Sequence, residues 1–491
     1  MTKPRTPRPT TPHKAAKNTA PASPSARIRE KAQPARRPAR QEDGRDSRRN
    51  PRVEGKAADA VRKAPAPSSQ TPISSASGEL APGTKINRRA ADRLRAGHVW
   101  VYASDIESVN VPAGEPPALL PVADSRGLLL GTALYSRNSQ IALRLVSREA
   151  LDEASWFQLL ESRLRVAIKR RRPLLDEQNS ACRLCFSEAD ELPGLVVDKY
   201  SDLVILQLLT KGLDSATVRK VCVRVLREEL SPAVILERPD ARMRELEGLS
   251  APSSEPLFIA NAAATAGNTQ FKLNSLTFHF DANSGQKTGA FLDQRANYAA
   301  AAEWASRLGL ANREGGGRAL DVCCYQGGFA LHLAEVCAQV TGIDASRASL
   351  EVAERNLQAN RSRLTAQVEW VEGDAFQILR DWSETGEKFD AIVLDPPAFA
   401  KSLRAVEGAL RGYKELNLRA LKMMRPGGLL VTCSCSHHVG WAELEASVTS
   451  AATDAHRRVR VLERRGATLD HPVILNLPET EYLKCMVLEV D

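Results

Sequence analysis

The chain has 491 residues, more than one hydrophobic core usually supports, so two to four folding units are expected. It carries a net charge of +9, contains nine cysteines of which two are adjacent (Cys323 and Cys324), and has no apolar run of about 18 residues. These features argue against a disulfide-stapled framework and a membrane-spanning helix.

Residues 1–80 contain no Phe, Trp or Tyr and 12 of the 28 prolines, so they have almost nothing to bury against the entropy of ordering and read as disordered. They hold 18 of the 68 Lys and Arg but 7 of the 59 Asp and Glu, a net of +11, which leaves the rest of the chain at −2. Such an arm either steers toward a polyanion or only keeps the chain soluble. Before Ile28 there is no Leu, Val or Phe to build a secretory signal, and a cytoplasmic protein is expected.

From Gly83 onward, short apolar runs at 98–102, 118–122, 128–135 and 141–146 predict a small β-rich module. Residues 159–174 have helical spacing, and the run Lys169 to Arg172 reads as a solvated helix end, with a phosphate contact as the alternative. Strands at 195–198, 203–209 and 234–236 around a helix at 215–229 predict an α/β middle unit. Cys182 and Cys185 form a lone pair without the second pair that a structural zinc needs.

After about residue 271 strands alternate with helices. Strands are predicted at 319–323, 340–344, 368–371, 391–395, 429–433, 459–462 and 483–490, with helices at 329–336 and 346–360; Pro426-Gly427-Gly428 reads as the stop of another helix. This rhythm implies βαβ crossovers and a mainly parallel sheet, whose ligands bind beyond the carboxyl ends of the strands. Four acids stand there: Asp321 ahead of Cys323-Cys324-Tyr325-Gln326-Gly327-Gly328-Phe329, then Asp344, Asp374 and Asp395. Gly327 and Gly328 let a loop turn tightly at a helix N-terminus. Asp344 lies 23 residues beyond Asp321, about the separation expected of a carboxylate that meets ribose hydroxyls, and Asp374 is placed for an adenine amino group. A nicotinamide-binding domain would need glycines where Cys323 and Tyr325 stand, to admit a pyrophosphate. S-adenosylmethionine has no pyrophosphate, and it is the favoured ligand. Any one acid could be a helix N-cap; four in succession are poorly explained that way.

Asp395-Pro396-Pro397-Ala398-Phe399 follows a buried strand, and its prolines fix the backbone so that the carboxylate faces the cleft. Adenine-N6 methyltransferases place an aromatic directly after the second proline of a similar turn. Here that place is Ala398, which weakens an adenine reading. Thr432-Cys433-Ser434-Cys435-Ser436-His437-His438 ends the fifth strand. Alternation puts Cys433 with Leu429 and Val431 on a core face and Cys435 beyond the strand, as the exposed candidate for a nucleophilic thiol. His437 and His438 either cap the next helix, hydrogen-bond locally, or assist catalysis.

These residues resemble the bacterial large-subunit ribosomal RNA cytosine-C5 methyltransferases that carry an N-terminal PUA domain. The resemblance rests on Gly97-His98-Val99-Trp100-Val101-Tyr102, Leu192-Pro193-Gly194-Leu195-Val196-Val197-Asp198, Gly285 through Arg295, Asp321 through Phe329, Asp395 through Phe399, Ser434-Cys435-Ser436 and Asp470-His471-Pro472-Val473. It spans about residues 83–491. It implies a class I, Rossmann-like α/β methyltransferase sheet (271–491) behind a PUA RNA-binding module (83–153) and a middle α/β domain (154–270). It further implies S-adenosylmethionine as cofactor, ribosomal RNA as partner, Cys435 as nucleophile and Asp395 as a hydrogen-bonding group at the cytosine N3. The cofactor residues would be Asp321, Tyr325, Gly327, Gly328, Asp344, Asp374 and Asp395. Other RNA cytosine-C5 methyltransferases place a second cysteine after the proline of the Asp395 turn to release product. Pro397 stands there, so release would fall to water or another base. A guanine-N7 methyltransferase and a catalytically inactive assembly factor are the competing readings, and a homodimer is left open.

Overall fold

The computed structural model describes residues 83–112, 118–238, 240–260, 267–282 and 289–491. The basic tail and residues 285–288 of the predicted motif lie outside them. Near the N-terminus the strands Gly83–Ile86, Trp100–Tyr102, Ile106–Asn110, Leu119–Asp124, Leu129–Tyr135 and Ile141–Ser147 form one sheet. Two of these strands, Gly83–Ile86 and Ile106–Asn110, are beyond what the pattern predicts, as is the helix Arg88–Arg95. That helix is legible afterwards: the Asn87 side chain accepts from the Ala90 N–H as N-cap, and Ala90, Ala91 and Leu94 are its buried face.

In the middle of the chain, Ala181–Phe186, Leu195–Tyr200, Leu203–Leu208, Val234–Glu237 and Phe258–Ile259 lie side by side in chain order. Helices Glu153–Arg171 and Ala216–Leu230 cover the sheet, with Trp156, Leu160, Leu164, Val218 and Leu226 in the shared core. Cys182 and Cys185 are buried in Ala181–Phe186, and burial pushes both thiols up. The run Lys169 to Arg172 is not a solvated helix end throughout. Arg171 is buried, donating to Asp190 at 2.5 Å and to the Asp470 carbonyl at 3.3 Å. Helical periodicity turns it inward, where Asp190 supplies the counter-charge that burial demands.

A hairpin, Asn268–Leu273 with Leu276–Asp281, bridges to the last sheet. Asn274 and Ser275 both take positive φ, as a two-residue primed turn requires. Phe280 stacks on Tyr200 of the middle sheet at 4.1 Å, while Phe271, Phe278 and Phe280 are each buried, worth roughly 2 kcal/mol apiece from area removed from water.

The C-terminal sheet has seven strands: β1 (Arg318–Val322), β2 (Gln339–Asp344), β3 (Gln367–Glu372), β4 (Phe389–Leu394), β5 (Met424–Ser434), β6 (Val459–Arg465) and β7 (Lys484–Val490). Their order is β3-β2-β1-β4-β5-β7-β6, with β1 to β5 parallel and β7 antiparallel to both neighbours. Helices α1 (Arg295–Arg307), α2 (Gly328–Leu333), α3 (Arg347–Ala359), α4 (Ala375–Thr385), α5 (Val406–Met423) and α6 (Trp441–Asp454) fill the intervals. Every residue of β4 is buried, as expected of a central parallel strand covered on both faces. One expectation is corrected. Pro426-Gly427-Gly428 does not stop a helix; α5 already ends at Met423, and the three residues lie inside β5, where Gly427 takes a positive φ beside Arg313.

Candidate active site

The topology brings the C-terminal ends of β1, β2, β3 and β4 to one edge of the sheet. The loop after β1 is wound tightly there, with positive φ at Cys323, Tyr325 and Gly327. Left-handed backbone at two non-glycine residues is strain that the surroundings must hold. They do so through carboxylates. Asp344 accepts from the Tyr325 N–H at 2.9 Å and the Ser346 N–H at 2.8 Å. Asp321 accepts from the Ala330 N–H at 2.8 Å and so anchors the first turn of α2. Tyr325 donates through its hydroxyl to the Gly289 carbonyl and meets the Phe291 ring edge-on at 4.9 Å, which ties residues 289–291 to the loop. Asp374 N-caps α4 by accepting from the Gln377 N–H.

All four predicted acids act on one thiol. Burial pushes Cys323 up, and the charges of Asp344, Asp395, Asp321 and Asp374 push it further, in that order. Of the two glycines expected to let the loop turn tightly, one does so and the other serves packing. Gly327 supplies the left-handed turn, whereas a Cβ on Gly328 would fall 2.4 Å from the Tyr298 ring, so its smallness serves packing of α2 on α1.

Asp395 is half-buried at the end of β4 and accepts from Gln294 Nε2 at 3.0 Å. A relay stands behind it: Asn297 donates to Gln294 Oε1 at 2.6 Å, and Arg465 donates to Asn297 Oδ1 at 2.9 Å. Burial first, and the nearby Asp293 charge second, raise the Asp395 carboxyl to about 7, against the lowering effect of Gln294. Raised this far, the group can either donate or accept near neutral pH. Phe399 packs between Phe376 and Tyr413, at 5.9 and 4.9 Å, on the protein's own rings.

Cys435 faces this turn, with its Sγ 3.9 Å from the Pro396 carbonyl oxygen. Its neighbours explain its orientation. Ser434 and Ser436 are fully buried, and both hydroxyls bond the Tyr413 hydroxyl, at 2.8 and 2.9 Å, while Ser436 also accepts from the Ala400 N–H. With its flanking residues turned inward, Cys435 is left half-exposed, and Cys433 is sealed in the core against Cys485. His437 and His438 do not cap the next helix: the N-cap of α6 is Gly440, and no side chain bonds there. Asn297, Tyr413 and Lys484 are neighbours of the candidate site that sequence reasoning did not single out, and Gln294 stood in the Gly285 through Arg295 motif without an assigned role. A lysine heading the apolar strand β7 was the one available signal.

The cofactor residues can be tested against this geometry. Asp321 Oδ1 is buried without a hydrogen-bond partner among the described residues, and Thr432 at the end of β5 has an orphaned hydroxyl. Unfilled acceptors amid four clustered acids suit a cationic ligand bearing hydroxyl and amino donors, as S-adenosylmethionine does.

A seven-stranded sheet of this order, with acids at successive strand ends, defines the class: an S-adenosylmethionine-dependent methyltransferase preceded by an RNA-binding type of β module. Comparison with known proteins agrees. A family described as a methyltransferase domain matches residues 313–467, and one described as a PUA-like domain matches residues 85–148. Two solved structures share the fold at 18% identity, each covering 83% of this chain and 100% of its own: a methyltransferase complexed with SAH (TM-score 0.68) and a SAM-dependent methyltransferase from Streptococcus mutans (TM-score 0.66). Proteins named ribosomal RNA large subunit methyltransferase I are 34% identical over 404 residues in Tolumonas auensis and 33% identical over 396 in Photobacterium profundum, each match covering 80% of this chain and 95% of the relative. The chain belongs to the ribosomal RNA large subunit methyltransferase I family. No helix among the described residues is long and apolar enough to cross a membrane.

Proposed function

We propose that this enzyme methylates C5 of a cytosine in large-subunit ribosomal RNA, in the cytoplasm, through a covalent adduct between Cys435 and C6. The observation that carries the reading is the half-exposed Cys435 thiol against the Asp395-Pro396-Pro397 turn. Residues 83–153 would engage the RNA, residues 154–270 would join the two ends, and residues 271–491 would hold the chemistry; the +11 tail (1–80) would add sequence-independent attraction to RNA.

Cytosine C5 is a poor nucleophile. In the proposed sequence the base leaves its stack, the Cys435 thiolate adds to C6, and protonated Asp395 donates to N3 as electron density moves into the ring. C5 thereby gains enamine character. Bound S-adenosylmethionine supplies the methyl group. Loss of the C5 proton to water and departure of the Cys435 sulfur then restore the aromatic ring. Gln294, held by Asn297 and Arg465, keeps the Asp395 carboxyl directed, while Asp344, Asp374, Asp321 and the Cys323 to Gly328 loop, with Tyr325, would bind the cofactor.

Nucleoside mapping of ribosomal RNA tests this. A strain lacking the gene should lose one 5-methylcytidine, restored by the wild-type chain and not by Cys435→Ser. Loss of 7-methylguanosine, or full restoration by Cys435→Ser, would overturn the reading.

A further inference from the structure

Lys484 begins β7 and is 2% exposed. A buried ammonium must find compensation. Among the described residues no carboxylate lies within ion-pair distance of it, and its hydrogen bond goes to the Ser436 carbonyl, at 3.0 Å. Its place follows from register. Lys484 sits opposite Ser434 in the antiparallel β5–β7 pair, so the two side chains share a face. Four methylenes then carry the ammonium past the strand end to the carbonyl one residue beyond Cys435. The cation thus lies under the turn whose two serines hold Cys435 outward.

We propose that Lys484 is the cation that stabilises the Cys435 thiolate, acting through the Ser436 carbonyl to which it is anchored. The proposal rests on Cys435 being the nucleophile, and makes Lys484 a positioning and activating residue. A thiolate is favoured beside a lysine, and the coupling is mutual. Burial pulls the Lys484 ammonium down from its ordinary value, while Glu481, Cys435 and Glu443 pull it up. The other charged or titratable groups facing this turn are Asp395 beyond β4, Tyr413 on α5, and His437 with Glu479. The carboxylates among them disfavour a thiolate. Lys484 opposes them from within the sheet, while burial first, and then the His438 and Lys484 charges, lower His437 from its ordinary value against the raising effect of Glu479.

The pH dependence of Cys435 alkylation by iodoacetamide, read by peptide mass spectrometry on the full chain without RNA, tests the proposal. The wild-type midpoint should lie below the ordinary thiol value of about 8.5, and Lys484→Met should raise it by about one unit. The same variant should lower kcat about tenfold at neutral pH, with KM for S-adenosylmethionine unchanged, and Lys484→Arg should restore the midpoint. A wild-type midpoint at or above about 8.5 overturns the proposal without any variant. So does an unmoved midpoint in Lys484→Met, or a kcat loss that Lys484→Arg shares in full. The nucleophile reading fails separately, if Cys435→Ser still methylates; the alkylation midpoints would then stand as a property of the thiol alone.

Discussion

The loop after β1 and the turn after β5 lie at the same sheet edge and are built in opposite ways. The β1 loop is held largely by its own neighbourhood: strained backbone at Cys323 and Tyr325 and a left-handed turn at Gly327, fixed by acids that end adjacent strands. The β5 turn is held from afar, by Tyr413 on α5, Ala400 beyond β4 and Lys484 on β7, through buried side-chain hydrogen bonds. On the proposed reading, the difference teaches that cofactor affinity and thiol reactivity would have separate supports. They should be separable by mutation.

The strongest way to break that comparison is Asp344→Ala. It removes the acceptor of both the Tyr325 and Ser346 N–H groups, and should weaken S-adenosylmethionine binding by about 10- to 100-fold in calorimetry. The Cys435 alkylation midpoint should not move; if it does, the two supports are one. Asp470→Asn probes a contact outside both. Burial would raise Asp470, but His471, Arg295 and the Arg183 N–H hold it at about 2. A depressed carboxylate contributes stability above its unfolded value, near 3.8, that is lost as pH falls toward 2. Asp470→Asn should therefore cost about 2 kcal/mol at neutral pH in denaturant unfolding, with the deficit shrinking in acid. The smallest effect sharpens the comparison on the substrate side. Asp293→Asn removes a charge that raises Asp395, so the pH above which methylation declines should shift downward from about 7, by a fraction of a unit, with cofactor affinity unchanged.

This contrast also explains what the sequence made legible. Acids at the ends of parallel strands could be found because each follows a short apolar run, and the chain order of the runs gives the sheet. Alternation grouped Cys433 with Leu429 and Val431, and the end of the apolar run set Cys435 apart from them. What escaped depends on contacts distant in sequence. Ala181–Phe186 reads poorly as a strand because Arg183 interrupts it, and only the bidentate pair with Asp198 on the next strand, at 2.8 Å to each oxygen, makes that guanidinium tolerable inside. Gln294 lies 101 residues from Asp395 and Lys484 lies 48 from Ser436, so neither had a local signature of its role. The helix Arg88–Arg95 was hidden by its arginines, since only three small or apolar residues face inward.

The segment before β7 carries a further consequence. Thr468 donates to the Asp293 carbonyl, and Asp470 accepts from the Arg183 N–H of the middle sheet. Asn476 fills the space beside Gly97, where a Cβ would fall 1.9 Å from its amide, and Glu479 meets His98 at 3.3 Å. One short stretch, carrying Pro472 and Pro478, thus touches the loop before Trp100–Tyr102, the strand Ala181–Phe186 and the turn that leads into α1. On the proposed reading, this stretch would brace the module that engages RNA against the domain that carries Cys435.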